Sequence, residues 1–284
     1  MHFSGSNPTE IIAALDQAGA RLSLSNGGAN VVWRIWGKGT PLVLLHGGTG
    51  SWMHWISNIE PLARDFMLLV PDIPGSGESG DPEAPVSADR IGATLAEGVS
   101  SIIGPQARFA VAGFSMGGLI AGYLVRHAQA RVQCLVLVGA TGTGAARGEM
   151  EPLKSWRRLP TEADRIAAHR RNLGILMIHD PNRIDDLAVY IQKANADRSR
   201  IRGKHVSHTG TLAECLGGFR GNLAGIWGEH DATAVPYLAE RAERLRQFQP
   251  RATFDVLPGA GHWVQYEAAA SFNRRLRELV AATF

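Results

Sequence analysis

Six short apolar runs set the tightest limit on how this chain folds: Leu42–Leu45, Met67–Val70, Phe109–Ala112, Cys134–Val138, Leu223–Trp227 and Thr253–Leu257. Each is continuous rather than alternating, the pattern of strands covered on both faces, as in a parallel sheet. Val31–Trp36 reads as an earlier strand. Helical spacing fills the gaps at Ala88–Ile103, Gly118–Ala128, Val235–Phe248 and Ala268–Ala282. Residues 8–18 read as a short helix opened by Pro8, with Thr9 and Glu10 in its first turn. Strand and helix alternate, so the expected class is α/β: a mostly parallel, doubly wound sheet with right-handed crossovers.

The rhythm stops between about Thr141 and Asn222, where helical spacing recurs around Ile166–Ile178 and Asp185–Ala196 but no buried strand is evident. The expected organisation is a core of residues 1–140 and 222–284, with 141–221 as a helical cap or lid over the C-terminal edge of the sheet. That edge is where open α/β sheets bind ligands. From Arg165 to Lys204 there are nine Lys or Arg against four Asp. The excess is either a solvated outer face or a lid that draws anionic substrates inward.

At 284 residues the chain has room for one large core and an insertion. It contains no run of 18 or more apolar residues, so no membrane span is expected. The start, Met1 to Pro8, lacks a basic region followed by an apolar block, so no secretory signal is expected. Two distant cysteines, Cys134 and Cys215, fit a reduced, cytoplasmic protein. A formal charge of +3 without a basic tract interleaved with aromatics argues against nucleic acid as a partner. The expected partner is a small molecule; a homodimer is left open by the helices of the insertion.

Gly113-Phe114-Ser115-Met116-Gly117 stands between the run Phe109–Ala112 and the helical stretch from Gly118. Strand, tight glycine turn and helix are the context in which G-x-S-x-G marks a nucleophilic serine. Side chains at 113 and 117 would collide with the neighbouring strand and helix. A serine hydroxyl needs a base, and the base needs an acid to orient it. Asp231, in Trp227-Gly228-Glu229-His230-Asp231, and His262, in Gly259-Ala260-Gly261-His262-Trp263, each directly follow a strand-like run. Alone, Asp231 reads equally as a helix N-cap and His262 as a loop histidine. Their order, serine then acid then histidine, with all three at strand ends, points to a triad. Leu44-Leu45-His46-Gly47-Gly48-Thr49-Gly50 supplies small residues for an oxyanion hole, with Met116 N–H as the second donor. His46 is expected to bond the loop. Trp52, His54 and Trp55 either line the cleft or pack within the loop. His205 and His208 are spaced for one helical face but lack a third ligand, so neither metal nor cofactor is expected.

These residues resemble the α/β-hydrolase superfamily over about 30–140 and 222–284. The resemblance is carried by His46-Gly47-Gly48, Asp72-Ile73-Pro74-Gly75-Ser76-Gly77-Glu78-Ser79, the turn at 113–117, Gly228-Glu229-His230-Asp231 and Gly261-His262-Trp263. It implies backbone donors at Gly48 and Met116, and substrate contacts at Gly47, Phe114 and Trp263. Within the superfamily the chain looks most like the meta-cleavage-product hydrolases, which split carbon–carbon bonds. Gly261-His262-Trp263, Gln265-Tyr266-Glu267, Phe272-Asn273-Arg274 and His179-Asp180-Pro181 carry that likeness. The chain departs from that group at Phe114, where Asn is usual, and at Thr49-Gly50-Ser51, where Gly-Pro-Gly is usual. Ile191 or Gln192 stands near the place of the group's lid arginine, with Arg183 and Arg198 not far along the chain.

The expected activity is hydrolysis of small, mostly apolar carboxylic esters through an acyl-enzyme. Carbon–carbon hydrolysis of a 2-hydroxy-6-oxo-dienoate is the alternative. A non-enzymatic ligand receptor on the same scaffold is a third reading, which an intact triad disfavours.

Overall fold

A computed structural model describes residues 7–201 and 206–284. Its strands are β1 (Ala20–Asn26), β2 (Ala29–Trp36), β3 (Thr40–Leu45), β4 (Phe66–Pro71), β5 (Phe109–Phe114), β6 (Val132–Val138), β7 (Asn222–Gly228) and β8 (Thr253–Leu257). They form one sheet in the order β1-β2-β4-β3-β5-β6-β7-β8. β2 runs antiparallel to both its neighbours, and every pair from β4 to β8 is parallel. The α/β class read from the sequence is the class observed.

The helices are α1 (Pro8–Gln17), α2 (Ile59–Leu62), α3 (Ala88–Ile103), α4 (Met116–Ala128), α5 (Glu162–Leu176), α6 (Asp186–Arg198), α7 (Leu212–Leu216), α8 (Leu238–Phe248), α9 (Val264–Glu267) and α10 (Ala269–Ala281). Their placement explains why the strands are continuously apolar. Successive strand residues point to opposite faces. Val43, Leu45, Val111, Leu135 and Leu137 pack in one layer with α3, α4 and α7. Leu42, Leu44, Ala110, Ala112, Val136 and Val138 pack in the other, with Ile59 of α2 and Phe272 and Leu276 of α10. In the central strands β3 to β7 neither face is left to water, so neither set of positions is polar.

β1 is the strand that the apolar runs do not reveal. Its sequence, Ala-Arg-Leu-Ser-Leu-Ser-Asn, lies largely exposed at the sheet edge. What fixes it is the turn: Gly27 and Gly28 have φ of +53° and +79°, the two-residue geometry that suits a hairpin. Between β6 and β7 the described residues contain α5, α6 and α7 and no strand. This segment touches loops that leave the carboxyl ends of strands. Ser51 Oγ donates to Asn195 Oδ1 at 2.6 Å, and Trp263 N–H donates to the Met177 carbonyl at 2.7 Å. No helix among the described residues is long and apolar enough to cross a membrane.

The crossing of β3 under the β5–α4 turn leaves no room for side chains. A Cβ at Gly117 would press into the carbonyl oxygens of His46 and Leu45, the latter at 2.6 Å. One at Gly113 would meet the Gly117 carbonyl and lie 2.8 Å from Ala121 Cβ. Gly117→Ala is therefore expected to cost about 2 kcal/mol or more in urea unfolding. Gly217→Ala, where an added Cβ meets nothing within 4 Å, should stay within about 0.5 kcal/mol of the parent.

Candidate active site

Ser115 sits between β5 and α4 with φ +52° and ψ −118°, a conformation that costs a non-glycine residue free energy. Three backbone bonds hold it there. Its N–H donates to the Val138 carbonyl at 2.8 Å, and its carbonyl accepts from Gly118 at 3.0 Å and Thr141 at 3.1 Å. The turn leaves the side chain half-buried, with Oγ 3.0 Å from His262 Nε2. His262 Nδ1 stands 2.9 Å from Asp231 Oδ2. Asp231 follows β7 and His262 follows β8, so three strand ends deliver the three groups to one place.

Asp231 is fully buried, and its second oxygen, Oδ1, accepts from the N–H and the hydroxyl of Thr233, each at 2.8 Å. Burial pushes its carboxyl upward. The His262 imidazole and the Thr233 hydrogen bonds outweigh burial and hold it below the usual aspartate value. A charged acceptor on Nδ1 fixes the imidazole tautomer that leaves Nε2 free to accept the Ser115 proton. Gly139, at φ +51°, closes this pocket from the end of β6. A Cβ there would lie 3.1 Å from His262 Nδ1 and 3.2 Å from Asp231 Oδ2.

Two backbone amides complete the arrangement. Met116 is the first residue of α4, where an N–H has no partner within the helix. Among the described residues neither Met116 N–H nor Gly48 N–H makes a hydrogen bond. The neighbouring Gly47 N–H is taken, donating to His54 Nδ1 at 3.2 Å. Buried thiols offer no rival nucleophile. Burial pushes Cys134 up to about 11 and Cys215 up to about 12. Among the described residues no group of three or more His, Cys, Asp or Glu could hold a metal; His205 lies outside those residues.

Residues 40–269 match the family model described as the alpha/beta hydrolase fold. The chain belongs to this family. A 2-hydroxy-6-oxo-6-phenylhexa-2,4-dienoate hydrolase from Burkholderia cepacia is 26% identical over 260 residues, covering 86% of this chain and 89% of that protein. A Rhodococcus esterase structure superposes with a TM-score of 0.78 at 22% identity, covering 94% of this chain and all of the other. A meta-cleavage product hydrolase from Pseudomonas fluorescens gives a TM-score of 0.73 at 23% identity, covering 93% and 98%.

In this α/β-hydrolase Gly47, Phe114 and Trp263 differ in their surroundings. A cavity of about 370 Å³ opens beside the loop that follows β3, and its lining includes Gly48, Thr49, His54, Lys154, Arg157 and Gln192. Gly47 lies one residue behind that lining, its amide already bonded. Phe114 and Trp263 are buried outside it. The Phe114 ring centroid is 4.9 Å from that of His262, and the Trp263 indole N–H donates to the His54 carbonyl at 2.9 Å. Both aromatics hold histidines in place. Arg183 and Arg198 are engaged elsewhere: Arg183 Nη1 donates to the Glu267 carbonyl at 2.7 Å, and Arg198 faces Glu78 at 3.9 Å. Ile191 is fully buried.

Sequence reading gave no role to Gly139, Thr233 or Glu267. Glu267, almost fully buried, gathers three backbone amides. Oε2 accepts from Gly261 at 2.7 Å and His179 at 3.0 Å, and Oε1 accepts from Asp180 at 2.7 Å. It thereby ties the His262 loop to the insertion. The available signals were a glycine directly after a strand run and an acidic residue in an otherwise apolar stretch.

His46 and His54 are buried neutral. Burial is the main cause holding both below the ordinary 6.5; for His54 the neighbouring His46 and His262 rings further disfavour a charge there. In the unfolded chain each takes a proton near 6.5, while the native rings resist it. Below 6.5 the unfolded state therefore binds more protons, and stability falls as pH falls toward the lower native values. Urea unfolding between about pH 7.5 and about pH 5.5 should show this loss, up to about 1.4 kcal/mol per pH unit for each ring. His54→Phe should flatten the slope by one ring's share.

Proposed function

We propose that the protein is a serine hydrolase of small, mostly apolar carboxylic esters. The observation that carries this reading is the unbroken relay from Ser115 Oγ through His262 to Asp231, at 3.0 Å and 2.9 Å. Ser115 Oγ attacks the ester carbonyl carbon as His262 Nε2 takes its proton. The carbonyl oxygen becomes an oxyanion held by the amides of Gly48 and Met116. Collapse of the tetrahedral intermediate breaks the bond to the alkoxy oxygen, which leaves as the alcohol with the proton from His262. Water, deprotonated by the same imidazole, attacks the acyl-enzyme, and the acid leaves as Ser115 regains its proton. Asp231 stays ionised throughout and stabilises the imidazolium. Residues 141–221 act as the cap that walls the acyl or alcohol side of the cleft.

Ser115→Ala should lower kcat on p-nitrophenyl acetate by about ten-thousandfold or more, and Asp231→Asn by between about a hundredfold and about ten-thousandfold. Each variant should unfold in urea within about 1 kcal/mol of the parent. Ester turnover that survives Ser115→Ala would refute the assignment.

A second reading, carbon–carbon hydrolysis of a dienoate diketone, has its own support. The cavity beside Gly48 carries Lys154 and Arg157 and no carboxylate, a setting suited to an anionic substrate. The full-length likeness to the Burkholderia dienoate hydrolase points the same way. The two readings share Ser115, so only substrates separate them. With p-nitrophenyl esters and a ring-fission product assayed side by side, the ester reading expects higher kcat/KM on the esters. A ratio reversed in favour of the diketone would replace it with the second reading.

A further inference from the structure

His54 takes no part in the relay, yet it stands against it. It lies on the short turn Trp52–Trp55 that follows the oxyanion loop, 2% exposed, with its ring lining the cavity beside Gly48. Its Nδ1 accepts the Gly47 N–H at 3.2 Å. An imidazole nitrogen that accepts carries no proton, so the proton of the neutral ring is on Nε2. His46 has the opposite tautomer. Its Nε2 accepts from Ile73 N–H at 2.9 Å, which leaves the proton on Nδ1, and Nδ1 stands 2.8 Å from the Gly47 carbonyl oxygen. The two rings meet edge to face, with centroids 6.1 Å apart.

Gly47 is thus gripped at both of its peptide groups. One histidine takes its N–H and the other donates to its carbonyl. In a trans peptide the carbonyl oxygen and the following N–H point in opposite directions. Binding the Gly47 oxygen on the His46 side therefore turns the Gly48 N–H the other way, where it makes no hydrogen bond within the described residues. We infer that His46 and His54 are a pair of positioning residues of opposite tautomer, which together set the peptide plane carrying the Gly48 oxyanion donor. The inference rests on the proposed serine hydrolysis for its purpose and on hydrogen-bond geometry for its form.

The surroundings hold the rings to this task. His54 is packed edge-on against Phe114 at 5.5 Å and Trp263 at 5.3 Å between centroids. Gly50 leaves room for it: a Cβ there would lie 2.5 Å from His54 Nδ1. Burial keeps both rings below the ordinary histidine range and hence neutral, as two complementary acceptors require. Protonating either ring would turn an acceptor nitrogen toward an N–H donor and break the clamp.

The test begins on the unmodified protein. Long-range proton–nitrogen NMR correlations distinguish the two imidazole tautomers, and the expected result is Nδ1–H for His46 and Nε2–H for His54. The same tautomer on both rings would overturn the clamp. His54→Gln keeps an acceptor for Gly47, and His54→Phe keeps the packing without one. His54→Phe should lower kcat on p-nitrophenyl acetate by about tenfold or more, with KM within about twofold. Its Ki for phenylboronic acid, a tetrahedral mimic bound through Ser115, should rise by a similar factor. His54→Gln should recover most of both. Phe and Gln variants that fall alike, or a His54→Phe protein matching the parent in kcat and boronate Ki, would overturn the inference. Ser115→Ala separates the two levels. If it is inactive while His54→Phe matches the parent, the clamp alone is lost. If it is active, the hydrolase reading falls, and the clamp loses its purpose with it.

Discussion

The site depends on a steric constraint before it depends on chemistry. β3 passes so close to the start of α4 that Gly117 faces the carbonyls of His46 and Leu45 with no space for a methyl group. The same loop passes beside Ser115, where a Cβ on Gly47 would lie 3.2 Å from Ser115 Cβ, and the serine adopts a φ of +52°. The strain is held by three backbone hydrogen bonds, one each from β6, α4 and Thr141 beyond β6. Relaxing it would move the hydroxyl off the axis of His262, so the cost of the strained residue is inseparable from the geometry of the relay.

Around that crossing, buried carboxylates act as anchors for loops that leave the sheet. Asp231 binds Thr233 and orients His262. Glu267 collects the amides of Gly261, His179 and Asp180 and so fixes the loop preceding His262. Asp72 accepts from Trp52 N–H at 2.9 Å and Glu78 N–H at 3.0 Å, and pairs with the buried Arg34 at 3.2 Å. Each anchor binds several donors, which is what makes an ionised group tolerable away from water. Removing one partner leaves an uncompensated charge, so the loops are held as sets and not contact by contact.

The sequence made the core and the relay legible for physical reasons. Strands covered on both faces are apolar nearly throughout, and β3 to β7 stand out as runs for that reason, while β8 at the other sheet edge is only partly buried and carries Thr253 and Asp255. Ser115, Asp231 and His262 are visible because each follows such a run, and the topology carries all their loops to one edge. β1 escapes because an exposed edge strand needs no apolar run. Glu267 escapes, and His54 shows only as a cleft or loop residue, because their partners are backbone amides, and an amide leaves no mark in the residue string. Phe114 and Trp263 are legible as site residues but not as to task. Residue type indicates an aromatic near Ser115, while packing sets the Phe114 ring against His262 and the Trp263 ring against His54.

The relay does not choose between an ester and a carbon–carbon bond. Both require Ser115, an imidazole and an oxyanion hole, and they differ in the leaving group and in what must be bound beside the scissile carbonyl. In the proposed function that difference would be read in the cavity between the Gly48 loop and the insertion. Lys154 and Arg157 stand in that cavity, and Asn172 brackets Lys154, its Oδ1 accepting the Lys154 N–H at 2.8 Å and its Nδ2 donating to the Lys154 carbonyl at 2.9 Å. Arg157 lies over the Trp156 ring at 4.6 Å and donates to the Ala196 carbonyl at 3.3 Å. These cations belong to the insertion, and the turn that carries His54 is itself tied to the insertion through Ser51 and Asn195. In the proposed hydrolase, substitutions at Lys154 and Arg157 would change the cavity lining without touching the glycine crossing at 113 and 117 that holds Ser115.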